Sequence, residues 1–218
     1  MNAGCEFEPV ELLRELVRRY SKLDECEDSI LEAYDLLVSC YANSGKLLVC
    51  GNGGSAADCE HIVGELMKSF MFKRKISDEF AKRYRRVNGH DAPEWLEGVL
   101  PAISLVSQTA FSSAFGNDEA AVGVYAQQVY GYGAEGDALL GISTSGSSAN
   151  VIEAARVARA LGMKVIALTG HRESALSGLS DVAIRVPETD TFKVQEYHLP
   201  VYHCLCAMVE ARMHGGYR

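Results

Sequence analysis

The chain has 218 residues, with 21 Lys+Arg against 29 Asp+Glu and a formal charge of −8. With 48% hydrophobic and 23% charged residues it has the composition of one ordinary globular domain, which excludes wholesale disorder. It has no apolar run near the roughly 18–20 residues that span a bilayer, and its acidic balance disfavours nucleic acid or an anionic membrane as partner.

Two stretches, 8–20 and 25–43, repeat apolar residues at helical spacing: Leu12, Leu13, Leu16 and Val17, then Ile30, Ala33, Leu36 and Leu37. They predict an N-terminal helical hairpin within 1–45, at the head of a single domain spanning 1–218. Lys46 to Gly51 reads as a short apolar strand closed by glycine. The chain then alternates, with a helix at 55–70, a strand at 101–106, a helix at 118–131 and a strand at 137–142. A helix at 147–161, strands at 164–169 and 182–186, and a last helix at 191–213 complete it. Strands that are apolar throughout and separated by helices point to a parallel sheet covered on both faces. The predicted fold class is α/β: a doubly wound, flavodoxin-like sheet of five parallel strands, with ligands at the carboxyl ends of the strands. Residues 71–97 break the alternation. They predict an inserted basic excursion, helical over 77–86, whose charge run of Lys73, Arg74, Lys75, Lys82, Arg83, Arg85 and Arg86 reads as solvated, and which carries Trp95, the single tryptophan.

Seven cysteines, at 5, 26, 40, 50, 59, 204 and 206, form no CxxC pair. They fit reduced, buried thiols in a cytoplasmic chain. The opening Met1-Asn2-Ala3-Gly4-Cys5-Glu6 has neither the positive charge nor the apolar core of a signal peptide.

Two turns carry the chemistry. The first strand runs into Gly51-Asn52-Gly53-Gly54-Ser55, where glycines permit close backbone approach to a ligand and the next helix presents unpaired N–H groups. The spacing is neither GxGxxG nor a P-loop, so a dinucleotide or nucleoside triphosphate is disfavoured. A later strand ends in Ser143-Thr144-Ser145-Gly146-Ser147-Ser148, five hydroxyls in six positions ahead of another helix. Capping that helix requires one hydroxyl. The full set suits a phosphate held by hydroxyls, amides and a helix N-terminus, a site no charge count reveals.

These turns resemble the two signature turns of the sugar isomerase (SIS) domain, and within that superfamily the chain is similar to the phosphoheptose isomerase family from about residue 10 to 213. The resemblance implies that Ser55, Ser143, Thr144, Ser145 and Ser148 hold a sugar phosphate, with Asn52, Gly53 and Gly54 beside the sugar. It also implies a homotetramer that uses the N-terminal hairpin for assembly.

On the helix at 55–70, His61 and Glu65 are four apart and share a face. On the last helix Gln195 and His203 are eight apart, two turns with a drift of roughly 80°. Spacing alone does not choose between His203 and the neighbouring His198. The family resemblance does: it implies that His61, Glu65, Gln195 and His203 ligate a divalent metal, zinc, and that Glu65 and His203 form the acid–base pair. Two imidazoles, a carboxylate and an amide oxygen suit such an ion. Converting a ketose to an aldose through a cis-enediol needs a base and an acid on adjacent carbons, and sedoheptulose 7-phosphate is the implied substrate. One position departs from the family. Gln108 stands where the family places an aspartate; it can hydrogen-bond a sugar hydroxyl but cannot accept a proton. Two other functions occur in the superfamily: non-catalytic adaptors that bind a replication initiator, and isomerases or lyases of other sugar phosphates. The presence of all four implied ligands favours the isomerase, and Gln108 argues the other way.

Overall fold

Five apolar segments pair side by side in the computed structural model, which describes residues 8–215. They are β1 (Leu47–Gly51), β2 (Ala102–Ser104), β3 (Ala138–Ser143), β4 (Lys164–Gly170) and β5 (Val182–Val186). All pairings are parallel and the order is β2-β1-β3-β4-β5. The strand order reverses between β1 and β3, so a ligand crevice opens at their carboxyl ends. The expected architecture is the observed one.

Side chains alternate across the sheet, and each face has its own core. Leu47, Val49, Leu140, Ile142, Ile166 and Leu168 pack on one side with the helices α1 (Pro9–Arg19), α2 (Glu27–Ala42), α3 (Gly54–Met67) and α9 (Thr191–His214). Leu48, Cys50, Leu139, Val165 and Ala167 pack on the other with Tyr125, Val129, Val151, Ala155 and Leu176. Those residues come from α6 (Val124–Tyr132), α7 (Ala149–Ala160) and the short α8 (Ala175–Leu179). The six described cysteines are free and buried; Cys5 lies outside the described residues. Burial pushes the thiol of Cys50 up to about 12, which keeps it protonated and inert.

The hairpin of 1–45, described from residue 8, is not an appendage. A 3-10 segment at Ser21–Cys26 joins α1 to α2, and Leu13, Leu16, Leu23, Ile30, Ala33 and Leu37 belong to the same core as α9 and the sheet. Its apolar stripes are thus covered within the chain, so they supply no argument for a partner.

The basic excursion divides in two. From Ser77, whose side chain caps the helix at Phe80 N, α4 (Asp78–Asn88) runs over the surface with no buried residue and ends at Gly89 in the left-handed region (φ 76°). The first part is different. Arg74, read from sequence as part of a solvated charge run, is 1% exposed and paired with the fully buried Glu210 of α9.

Two further departures are local. The helix expected at 118–131 begins at Val124, preceded by α5 (Thr109–Phe115), a π-type turn at Gly116–Ala120 and a 3-10 turn at Ala121–Gly123. Gly116 and Gly123 interrupt the periodicity there. The five-residue α8 is too short for periodicity to reveal, and a reciprocal Ser174/Ser177 capping box starts it.

Candidate active site

Both hydroxyl turns stand at the switch point. After β1, Gly53 takes φ 57° and ψ −121°, a backbone conformation closed to residues with a side chain. It lets the chain reverse into α3, whose second residue Ser55 is buried. Tyr125 fixes the turn from the far side by donating to the Gly51 carbonyl at 2.6 Å. After β3, the hydroxyls of Ser143 and Ser148 lie 2.9 Å apart, and Gly146 N donates to Ser143 Oγ at 3.1 Å. Ser148 is the N-cap residue of α7, yet its side chain makes no cap hydrogen bond, so capping does not account for it. Thr144, Ser145 and Ser147 face a cleft of about 250 Å³ shared with His171, Arg172 and Glu188.

A pair of amides ties the two turns together. Asn52 Nδ2 donates to Asn150 Oδ1 and Asn150 Nδ2 donates to Asn52 Oδ1, each at 2.9 Å. Asn150 was not singled out by the sequence because its role exists only across the crevice.

The second cluster lies between α3 and α9, which run side by side. His61 Nε2 is 3.2 Å from Glu65 Oε1 and 3.3 Å from His203 Nε2. Ligand atoms of the three residues all lie within 4.8 Å of one another. Neighbouring ligands of a tetrahedral ion with bonds near 2.0–2.1 Å are about 3.3 Å apart, so these residues fit a zinc-sized ion. Burial, and then the charge of His61, hold the His203 imidazole below its usual range, which favours the neutral form that a metal needs. Gln195 lies earlier on α9, with its half-buried side chain packed on Gly54 so closely that a Cβ there would overlap the amide. It therefore stands at the turn after β1, two turns before His61 on α3. Gln108 is half-buried at the start of α5, and the adjacent Ser107 donates to Glu60 at 2.9 Å, which brings an exposed carboxylate to that loop.

The two histidines of α9 sit in different surroundings, His203 beside His61 and Glu65 and His198 in the core. His198 is fully buried, and neither ring nitrogen has a hydrogen-bond partner among the described residues. Burial lowers its pKa to about 4. Because the folded-state value lies below the unfolded one, the stability contributed by neutral His198 is complete above about pH 6.5 and is lost as pH falls towards 4. At 1.36 kcal/mol per unit this amounts to about 3 kcal/mol. His198→Leu is expected to flatten that acid loss in denaturant titrations at pH 7 and pH 4.5.

Two further residues, Asp58 and Tyr202, stand behind His61. Tyr202, 1% exposed, places its hydroxyl 2.9 Å from His61 Nδ1 and donates to Asp58 Oδ1 at 3.3 Å. Burial raises the Asp58 carboxyl, and burial together with Asp58 raises the Tyr202 phenol.

A 2-1-3-4-5 sheet with hydroxyl turns at its switch point defines a SIS-domain protein, and the SIS domain family model matches residues 11–104 and 96–170. A phosphoheptose isomerase of Shewanella loihica is 37% identical over 87% of this chain and 88% of its own length. One of Burkholderia pseudomallei is 36% identical, covering 86% of this chain and 83% of that protein. Solved phosphoheptose isomerases superpose on the fold. That of Neisseria gonorrhoeae does so with TM-score 0.72 and 33% identity over 91% of this chain and 94% of the other. That of Francisella tularensis gives 0.73 and 34% over 88% and 90%. The chain belongs to the phosphoheptose isomerase family.

Proposed function

We propose that the chain interconverts sedoheptulose 7-phosphate and D-glycero-D-manno-heptose 7-phosphate, an aldose–ketose isomerisation through a cis-enediol. The observation that carries this reading is the convergence of His61, Glu65 and His203 on the helix pair whose first turn also forms the phosphate-binding crevice.

Ser55, Ser143, Thr144, Ser145 and Ser148, with the first amides of α3 and α7, hold the phosphate, and the binding energy of that remote group positions the reacting carbons. Asn52 and Gly53 lie beside the sugar, Gly54 leaves room for Gln195, and Gln108 hydrogen-bonds a hydroxyl. Glu65 takes a proton from C1 of the ketose, exchanges it with solvent and delivers one to C2, while His203 serves the two oxygens. His61, Glu65 and His203 would hold a divalent ion, zinc, which supplies Lewis-acid charge for the enediolate, and Gln195 would complete the set only by turning its amide away from Gly54. Metal analysis of the purified chain, coupled to an NMR screen of ketose phosphates, tests this. Bound zinc, turnover of sedoheptulose 7-phosphate and loss of turnover on chelation are expected. Unchanged turnover after the metal is stripped would remove the metal from the account. Gln108 favours, as a second reading, isomerisation of another sugar phosphate, and turnover of such a compound alone would establish it.

We read the chain as a cytoplasmic homotetramer. Support comes from the apolar rim beside the site, where Met67, Met71 and Leu199 are 43%, 48% and 42% exposed. A monomer by light scattering at micromolar concentration would overturn this. Among the described residues no helix is long and apolar enough to cross a membrane.

A further inference from the structure

The geometry points to a positioning relay: we propose that Asp58 and Tyr202 fix the tautomer of His61 so that its Nε2 lone pair faces Glu65 and His203. The inference rests on the metal-site reading above and concerns residues that the reading leaves unused.

The argument is a count of hydrogens. Asp58, as a carboxylate, can only accept. Its Oδ1 lies 3.3 Å from the Tyr202 hydroxyl, while its Oδ2 is buried without a partner among the described residues. A phenol has one hydrogen, and Tyr202 spends it on Asp58. Toward His61 Nδ1, 2.9 Å away, the same oxygen can then only accept. With that hydrogen on Asp58, a neutral His61 carries its ring proton on Nδ1, which leaves Nε2 as a lone pair. That nitrogen is the one 3.2 Å from Glu65 and 3.3 Å from His203. Edge-on contact of the Tyr202 ring with His61, at 5.5 Å between centroids and 75° between planes, holds the imidazole at the angle this needs. Partners behind a ligating histidine set its tautomer, orientation and basicity. Here the partner is reached through a tyrosine, and the carboxylate comes from α3 itself, three residues before His61.

The test reads the tautomer before any metal is added. In long-range proton–nitrogen spectra of the histidine-labelled, metal-free chain, with signals assigned by His61→Ala, Nδ1 of His61 is expected protonated and Nε2 bare. Tyr202→Phe should shift His61 toward a mixture of tautomers. In a zinc titration of the stripped chain it should also weaken binding by about 10–100-fold, with Asp58→Asn acting in the same direction and His203→Ala leaving the metal-free tautomer unchanged. A protonated Nε2 in the wild-type chain, or zinc affinity unaltered in Tyr202→Phe, would overturn the relay. A wild-type chain with the expected tautomer but no affinity for zinc would instead overturn the metal reading and leave the relay standing.

Discussion

Glu65→Gln is expected to lower turnover by about 10²–10⁴-fold while the protein melts where the wild type does. The carboxylate lies 3.2 Å from His61 Nε2, and its other oxygen is 3.4 Å from Lys68 Nζ on the surface. An amide of the same shape keeps the packing of α3 but cannot take a proton. Binding of the sugar phosphate, assigned above to the hydroxyl turns, should survive, so the loss belongs in kcat more than in KM. A steady-state assay on purified protein checks this, and full turnover in Glu65→Gln would remove Glu65 as the base.

Glu210→Ala is expected to cost about 3–5 kcal/mol of stability, the range for breaking one side of a buried ion pair. Arg74 and Glu210 have no exposed side-chain surface and meet at 2.7 Å. The carboxylate also accepts from Phe70 N at 2.8 Å, Met71 N at 2.6 Å and Phe72 N at 3.3 Å. Arg74 in turn donates to the carbonyls of Leu66 and Glu65, at 2.5 Å and 2.8 Å, and so closes the carboxyl end of α3. For a chain of this size each kcal/mol lowers Tm by about 2–4 °C, so calorimetry should show a drop of about 6–20 °C. Replacing both partners with methionine, which often restores stability for a simple buried pair, should not do so here. Three backbone N–H groups would be left without their acceptor. Since the pair secures the turn that bears Glu65, the variants should also lose activity below their melting points.

The strands were legible in the sequence because a parallel sheet covered on both faces requires unbroken apolar runs such as Leu47–Cys50 and Leu139–Ile142. The turns were legible because glycine and hydroxyl chemistry acts between residues adjacent in sequence. His61 and Glu65 followed from one helical face. His203 did not follow from spacing: His198 is five residues earlier, about 140° around the same helix, and only packing shows that its side faces the core near Thr169. Arg74 defeated the charge pattern for the same reason. Its neighbours Lys73 and Lys75 suggested a solvated run, and the group that buries it lies 136 residues away. The Asn52–Asn150 pair and the Asp58–Tyr202 contact likewise join separate elements, so no local motif announced them.

The central claim is that this crevice moves a proton between adjacent carbons of a sugar phosphate. It is tested most directly by incubating sedoheptulose 7-phosphate with the zinc-loaded chain in D₂O and following the product by NMR. The account predicts an aldose 7-phosphate with solvent deuterium at C2, formed by the wild type and not by Glu65→Gln. Folded, zinc-loaded protein that forms no aldose phosphate, or forms it with no deuterium at C2, would contradict it.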